Sequence, residues 1–245
     1  MELFSVDGFL FQFMRRLLDI LKLNFCWLIC SLPIVTIGPA TVAAFSVSLK
    51  MVDESEGYVM RQFFKEFKAN LKIGFPLGIC FLVGLYAIYL DTQLISAGNQ
   101  GLIKGYVPFV FMAVTIITIY IFISVFIYSF ALAARYENTF LRTVKNSHEI
   151  FLRHFPKTLA IIFIVAIELV FILWNRVTIY FGILIGPACI IYTISGMALP
   201  IFRQIERDGG AVLKEYQKSE EAVFEDHPEN DSIAAKAHMN LKSKK

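Results

Sequence analysis

Long uncharged runs alternate with short charged segments along most of this chain. The first run, Leu23–Leu49, has 27 residues without an acidic or basic side chain. About 20 apolar residues at ~1.5 Å rise cross the ~30 Å hydrocarbon core of a bilayer, so runs of this length predict membrane-spanning helices. The pattern therefore predicts an all-α, polytopic transmembrane helix bundle with about five hydrophobic segments. The other four are Ile73–Leu90, Gly105–Ala134, Thr158–Asn175 and Val177–Phe202.

The first run contains two prolines, and they affect the predicted helices differently. Pro33 can be carried inside a membrane helix, whereas Gly38-Pro39 joins a flexible residue to one that lacks an N–H. The sequence therefore predicts a helix break at Gly38-Pro39, followed by a short helix over about 40–52 that returns as a half-helix packed against the others. The four later runs are predicted to be full spans.

Two charged segments between the runs have the period of amphipathic helices, which are predicted over 57–72 and 139–155. The first places phenylalanines on one face and basic residues on the others, as expected of a helix that lies at the membrane surface or binds another protein. The stretch 91–104 is predicted to be a loop. The transmembrane domain is predicted over 1–207, and the polar, charged segment 208–245 is predicted to be a disordered cytoplasmic tail.

The distribution of basic residues predicts the orientation. Lys and Arg number five in 50–72, five in 135–157 and eight from Arg203 onward, but only one in each of 91–104 and 175–176. Cytoplasmic segments carry the excess of positive charge, so the rich segments and the C-terminus are predicted to be cytoplasmic in a multi-pass protein of the cell membrane. The half-helix arrangement also places the N-terminus inside.

Composition excludes several classes of function. The chain of 245 residues is 57% hydrophobic with a mean hydropathy of +0.62, which is too apolar for a soluble domain. The net charge of +3 accompanies no nucleic-acid-binding motif, so no nucleic acid partner is predicted. Walker, Gly-x-Ser-x-Gly and His-Glu-x-x-His motifs are absent from the sequence. We therefore predict a protein that is not an enzyme and that needs no cofactor or metal.

Glu168 is the acidic residue that lies well inside an apolar run. A carboxyl group at membrane depth is costly, and such residues often serve proton relay, cation binding or substrate contact. The structural alternative is that Glu168 is protonated, or accepts a hydrogen bond from a Tyr, Ser or Thr of the third or fifth run, and only stabilises the bundle. The pairs Gly74/Gly78 and Gly182/Gly186 have the Gly-x-x-x-Gly spacing of close helix contacts, and the second pair suggests self-association.

The chain resembles the YesL-like family of bacterial integral membrane proteins. The residues that carry the resemblance are Asn24, Trp27, Gly38, Pro39, Ala40 and Thr41, followed by a Phe-rich basic helix. We take Asn24, Trp27, Gly38, Pro39 and Thr41, together with Glu168, as the candidate functional residues. The resemblance implies no known reaction, but members tend to be encoded near carbohydrate-uptake and polysaccharide-degradation systems.

Two functions follow as hypotheses. The first is an accessory or regulatory component of a carbohydrate uptake or utilisation system, with the lipid bilayer and subunits of a sugar transporter as partners. The second is a small secondary transporter or channel with its site near the broken first helix and Glu168.

Overall fold

The computed structural model describes residues 9–55, 57–99 and 106–207, and all regular structure within them is helical. The predicted tail, 208–245, lies outside the described residues. A short 3-10 helix, Ile34–Thr36, separates the first two α-helices. The helices are α1 (Phe9–Ser31), α2 (Ile37–Val52), α3 (Val59–Ala69), α4 (Leu71–Asn99), α5 (Val107–Arg135), α6 (Phe140–Arg153), α7 (Phe155–Leu173) and α8 (Arg176–Arg207).

Five segments of the described residues are long and apolar enough to cross a membrane, which confirms the predicted fold class. They are Ile34–Val52, Leu71–Ser96, Phe109–Arg135, Phe155–Leu173 and Arg176–Arg207. The first was predicted as a half-helix, but with the 3-10 turn it has the length of a span. α1 is not among the five, because four charged residues lie between positions 15 and 22 of this helix. The chain is thus a multi-pass membrane protein.

The break near the N-terminus exists, but its predicted position was wrong. α1 ends at Ser31, so the interruption begins before Pro33, and Gly38-Pro39 lies in the first turn of α2. Proline disfavours the helical conformation of the residue before it, which ends α1 at the Leu32-Pro33 step. Pro39 is tolerated because the first N–H groups of a helix have no intrahelical acceptor.

α2 forms the centre of the bundle. Of its most apolar window 67% is buried, against 11–22% for the other four spans. It packs against α1, α3, α4, α5 and α8. Small residues on α2, including Ala40, Ala43 and Ala44, are fully buried and let the surrounding helices approach closely.

The structure has helices α3 and α6 within the limits predicted for the two amphipathic helices. The predicted loop over 91–104 was partly wrong, because α4 continues as a helix to Asn99. The turn between α7 and α8 is as short as predicted and is capped by Asn175, whose Oδ1 accepts the N–H groups of Val177 and Thr178.

The basic helices and the N-terminal half of α1 lie at the same end of the bundle. Residues Arg15, Asp19 and Lys22 of α1 line a groove of about 710 Å³ together with Gly57–Met60, at the start of α3. The C-terminal end of α8 is at this end too, since Arg203 pairs with Asp53, which follows α2. This is the arrangement predicted for an N-terminus on the same side as the basic segments.

Candidate functional site

Asn24 is fully buried and hydrogen-bonds backbone groups of α8 whose regular helical pairing is interrupted at Pro187. Pro187 lies inside α8 and has no N–H to donate to the carbonyl of Ile183, four residues earlier. The Asn24 Nδ2 donates to the carbonyls of Ile183 (3.1 Å) and Leu184 (2.7 Å), and its Oδ1 accepts the N–H of Ala188 at 3.1 Å. One side chain from α1 thus satisfies three backbone groups around the proline.

Trp27 and Thr41 join α1 to α2. The Trp27 Nε1 donates to the Thr41 Oγ1 at 3.1 Å, and that hydroxyl donates to the Ile37 carbonyl at 2.7 Å. Both polar groups are therefore used within the protein. The pair lies one turn of α1 beyond Asn24, so a single face of α1 is bonded to both α2 and α8.

Gly38 and Pro39 pack directly against the backbone of α4. A Cβ added to Gly38 would lie 2.6 Å from the Gly78 Cα, and one added to Gly74 would lie 2.5 Å from the Pro39 Cα. These distances exclude any side chain, so the Gly74/Gly78 spacing permits the approach that it predicted. The helix that approaches α4 is α2, and position 38, just before Pro39, must be glycine because a Cβ there would clash with α4.

The break between α1 and α2 has its own hydrogen bonds. The Thr36 Oγ1 lies 2.6 Å from the Cys30 carbonyl and 2.7 Å from the Pro33 carbonyl, and the Thr36 N–H donates to Pro33. A broken membrane helix can bind ions through carbonyls that the break exposes. Here two carbonyls at the break, those of Cys30 and Pro33, already lie within hydrogen-bond distance of the Thr36 hydroxyl.

Five of the six residues that carry the resemblance thus form one packing junction. We call it the α1–α2 junction and define it by Asn24, Trp27, Gly38, Pro39 and Thr41. It joins α1, α2, α4 and α8 through hydrogen bonds and backbone contact. The sequence predicted that these residues matter, but not which partners they take, because those partners lie in helices far along the chain.

Glu168 lies apart from the α1–α2 junction, between α7 and α8. Its Oε1 accepts a hydrogen bond of 2.5 Å from the Thr193 Oγ1, so it has a hydroxyl partner in the fifth run, as the structural alternative predicted. Its Oε2 is buried and has no hydrogen-bond partner. A buried carboxyl oxygen without a hydrogen-bond partner is costly in a membrane, so the Glu168 carboxyl group is only half satisfied.

Gly182 and Gly186 contact a helix of the same chain. Ile172 of α7 packs on both glycines, and its Cδ1 lies 2.8 Å from where a Gly186 Cβ would be. Both glycines are buried. This face is therefore occupied by the α7–α8 hairpin, and it is not open to the self-association that the spacing suggested.

A set of partly buried charges at the basic end was not predicted from the sequence. Arg135 binds Glu206 through two hydrogen bonds of 2.5 and 3.0 Å, and the Tyr136 hydroxyl donates to the same carboxylate at 2.8 Å. Burial, followed by Glu206, raises the pKa of Tyr136, so the phenol stays protonated and remains a donor. Arg135 and Glu206 are 71 positions apart. The available signal was that both residues lie just after apolar runs, since Arg135 directly follows the third run and Glu206 comes four positions after the end of the fifth.

A second buried charge lies under α2. Glu66 of α3 is 1% exposed; its carboxylate lies 3.5 Å from the Lys50 Nζ and accepts a hydrogen bond of 3.2 Å from Asn70. Glu66 therefore ties α3 to the end of α2. Within the described ranges no group of three or more His, Cys, Asp or Glu residues is placed to hold a metal ion.

Comparison with known proteins yields one similarity. Residues 20–92 match a family described as a protein of unknown function, DUF624. That stretch is under a third of the chain and contains all five residues of the α1–α2 junction. No curated protein and no solved structure matches the chain. Over its first helices, the chain is thus similar to an uncharacterised family of proteins.

Proposed function

We propose that this protein is a non-enzymatic component of the bacterial cell membrane that serves a carbohydrate uptake or utilisation system as an accessory or regulatory subunit. In this proposal the basic end of the bundle faces the cytoplasm and binds the partner through α3 and α6. The observation that carries the proposal is the way in which these two helices are held.

Both helices have one face anchored in the bundle and one face exposed. Phe63 of α3 and Ser147 of α6 are fully buried, and the Ser147 hydroxyl donates to carbonyls of α5. The exposed faces carry basic residues beside apolar side chains such as Leu141, which is 75% exposed. A fixed surface of this mixed character suits binding to another protein at the membrane interface.

The α1–α2 junction supports a scaffolding role. Its polar groups bond to the protein's own backbone and side chains, and its one glycine, Gly38, contacts the backbone of α4. Residues used in this way stabilise the arrangement of helices, and they leave little chemistry for a substrate. The resemblance to proteins encoded beside carbohydrate systems suggests which partner the scaffold serves.

Copurification from cells grown on inducing sugars tests the proposal. After mild crosslinking we expect subunits of a sugar transporter to be recovered with the protein and identified by mass spectrometry. The charge reversals Arg61→Glu and Lys145→Glu on α3 and α6 should reduce that recovery, whereas Arg176→Glu at the opposite end should not. Recovery of the protein alone, or equal loss in all variants, would contradict the proposal.

The orientation is tested separately by cysteine labelling. In a background without the four native cysteines, Lys145→Cys and Ser96→Cys each present an exposed thiol at opposite ends of the bundle. A membrane-impermeant maleimide applied to intact cells should label Ser96→Cys only. Labelling of Lys145→Cys alone would place the basic end outside.

The second candidate function, a small secondary transporter, is favoured by the unpartnered Oε2 of Glu168. A carboxyl group that is protonated at membrane depth could carry a proton with a solute. Glu168→Gln keeps the shape and the hydrogen bond from Thr193 but cannot release a proton. If vesicles containing only this protein take up solute and Glu168→Gln abolishes uptake at normal protein abundance, transport is correct. Absence of uptake by the wild-type protein would refute it.

A further inference from the structure

A groove lies where α4 begins, α5 ends and α6 begins, and its volume is about 480 Å³. Two basic side chains line it from different helices: Lys72 in the first turn of α4 and Arg142 in the first turn of α6. Both are exposed, and among the described residues neither has an ion-pair partner. We call this the α4–α6 groove.

The position of the groove relative to the apolar spans indicates its depth. Lys72 is followed by 18 uncharged residues, and Arg135, one residue before the groove residue Tyr136, is preceded by 30. The groove therefore lies at the edge of the hydrocarbon, which is where lipid phosphates lie. Ile73 forms part of its wall and adds an apolar side chain to the lining.

The remaining lining adds hydrogen-bond donors. Thr139 immediately precedes α6, its side chain does not cap the helix, and no acidic residue occupies the first turn. The first N–H groups of a helix favour an anion, and here they adjoin the two cations. Glu137 also lines the groove, and its carboxylate repels an anion. The groove still has two basic side chains against this one acidic side chain, so its charge favours an anion.

We propose that the α4–α6 groove binds the phosphate headgroup of an anionic membrane phospholipid, with Lys72 and Arg142 as the charged contacts. Basic pockets between membrane helices at the interface are a recurrent form of such sites. The volume suits a headgroup of this size. The proposal is independent of the carbohydrate partner and of Glu168.

The experiment measures lipid retained by the purified protein. Full-length protein in mild detergent is titrated with phosphatidylglycerol, phosphatidylcholine or inorganic phosphate, and bound lipid is counted by native mass spectrometry. Each cation near a headgroup changes affinity about fivefold, so Lys72→Gln/Arg142→Gln should bind phosphatidylglycerol roughly twenty-five-fold more weakly than wild type.

The matched control is Arg61→Gln/Lys157→Gln, which removes one Arg and one Lys from exposed positions at the same end but outside the groove. Its affinity for phosphatidylglycerol should stay close to wild type. The charge-preserving pair Lys72→Arg/Arg142→Lys should also retain binding, which separates loss of charge from loss of fold.

Three results would overturn the proposal. Equal weakening in the groove variant and the control variant would mean general attraction to a basic surface. Equal binding of phosphatidylcholine would remove the preference for an anionic headgroup. Binding of inorganic phosphate in place of phosphatidylglycerol would make the groove a site for free phosphate and not for lipid.

Discussion

Asn24 provides the sharpest test of the packing described here, because it makes three hydrogen bonds around one proline. Asn24→Ala leaves the carbonyls of Ile183 and Leu184 and the N–H of Ala188 without that partner. Side-chain hydrogen bonds within membrane proteins contribute about 0.6 kcal/mol each on average. Three of them give a loss of about 2 kcal/mol in the free energy of unfolding, before any cavity term.

Pro187→Ala makes the prediction specific. An alanine at 187 supplies an N–H for the Ile183 carbonyl, so the helix needs Asn24 less. The cost of Asn24→Ala should fall to about 1 kcal/mol or less in the Pro187→Ala background, giving a coupling energy of about 1 kcal/mol.

The assay is reversible unfolding of the purified protein in mixed micelles, in which dodecyl sulfate is increased and helix content is followed by circular dichroism. All four proteins of the cycle are compared in the same detergent. Additive effects, with a coupling below about 0.3 kcal/mol, would refute the reasoning that Asn24 acts by repairing the Pro187 irregularity.

Further predictions concern other contacts of the bundle and use the same unfolding assay. Gly38→Ala should lower the free energy of unfolding by about 3 kcal/mol or prevent accumulation of the protein, because the added Cβ meets the backbone of α4. Gly196→Ala is the control: Gly196 has open space around it, so this change should be neutral or stabilising by about 0.5 kcal/mol. Tyr136→Phe should lower the free energy of unfolding by about 1.5 kcal/mol and Glu206→Gln by about 3 kcal/mol. The second loss is larger because it leaves the half-buried arginine at the end of α5 without its counter-charge, and equal losses would contradict this. Burial, with nearby Lys157 and Arg153, lowers the pKa of His154 in the folded protein. The contribution of His154 to the free energy of unfolding is therefore present above the ordinary histidine pKa of ~6.5 and is lost as the pH falls below that value. His154→Gln should remove this part of the protein's sensitivity to acid.

Local pattern was sufficient for most of the helices of this protein. The five apolar segments and the amphipathic helices α3 and α6 follow from hydropathy and from a period of 3.6, since a bilayer requires each spanning backbone to satisfy its hydrogen bonds within its own helix. The basic residues that predict orientation are also a property of sequence alone. None of these depends on which helix packs against which.

The break near the N-terminus shows where local pattern fails. Both Leu32-Pro33 and Gly38-Pro39 can interrupt a helix, and the choice between them depends on the contact with Gly74 and Gly78. Gly38 lies against α4 as part of α2, which begins one residue earlier. Pro39 therefore falls in the first turn of α2, where proline is tolerated. That contact joins residues about 40 positions apart.

The roles of the candidate residues were decided in the same way. The sequence identified Asn24 and Glu168 as unusual, because a polar side chain in an apolar run must find a partner or remain neutral. Their partners, the backbone around Pro187 and the Thr193 hydroxyl, are 160 and 25 positions away along the chain. The sequence determined that this protein spans a membrane as helices, because the bilayer acts on each segment separately. Only the tertiary structure decided what its polar residues do, because each hydrogen bond needs a second group that packing brings within reach.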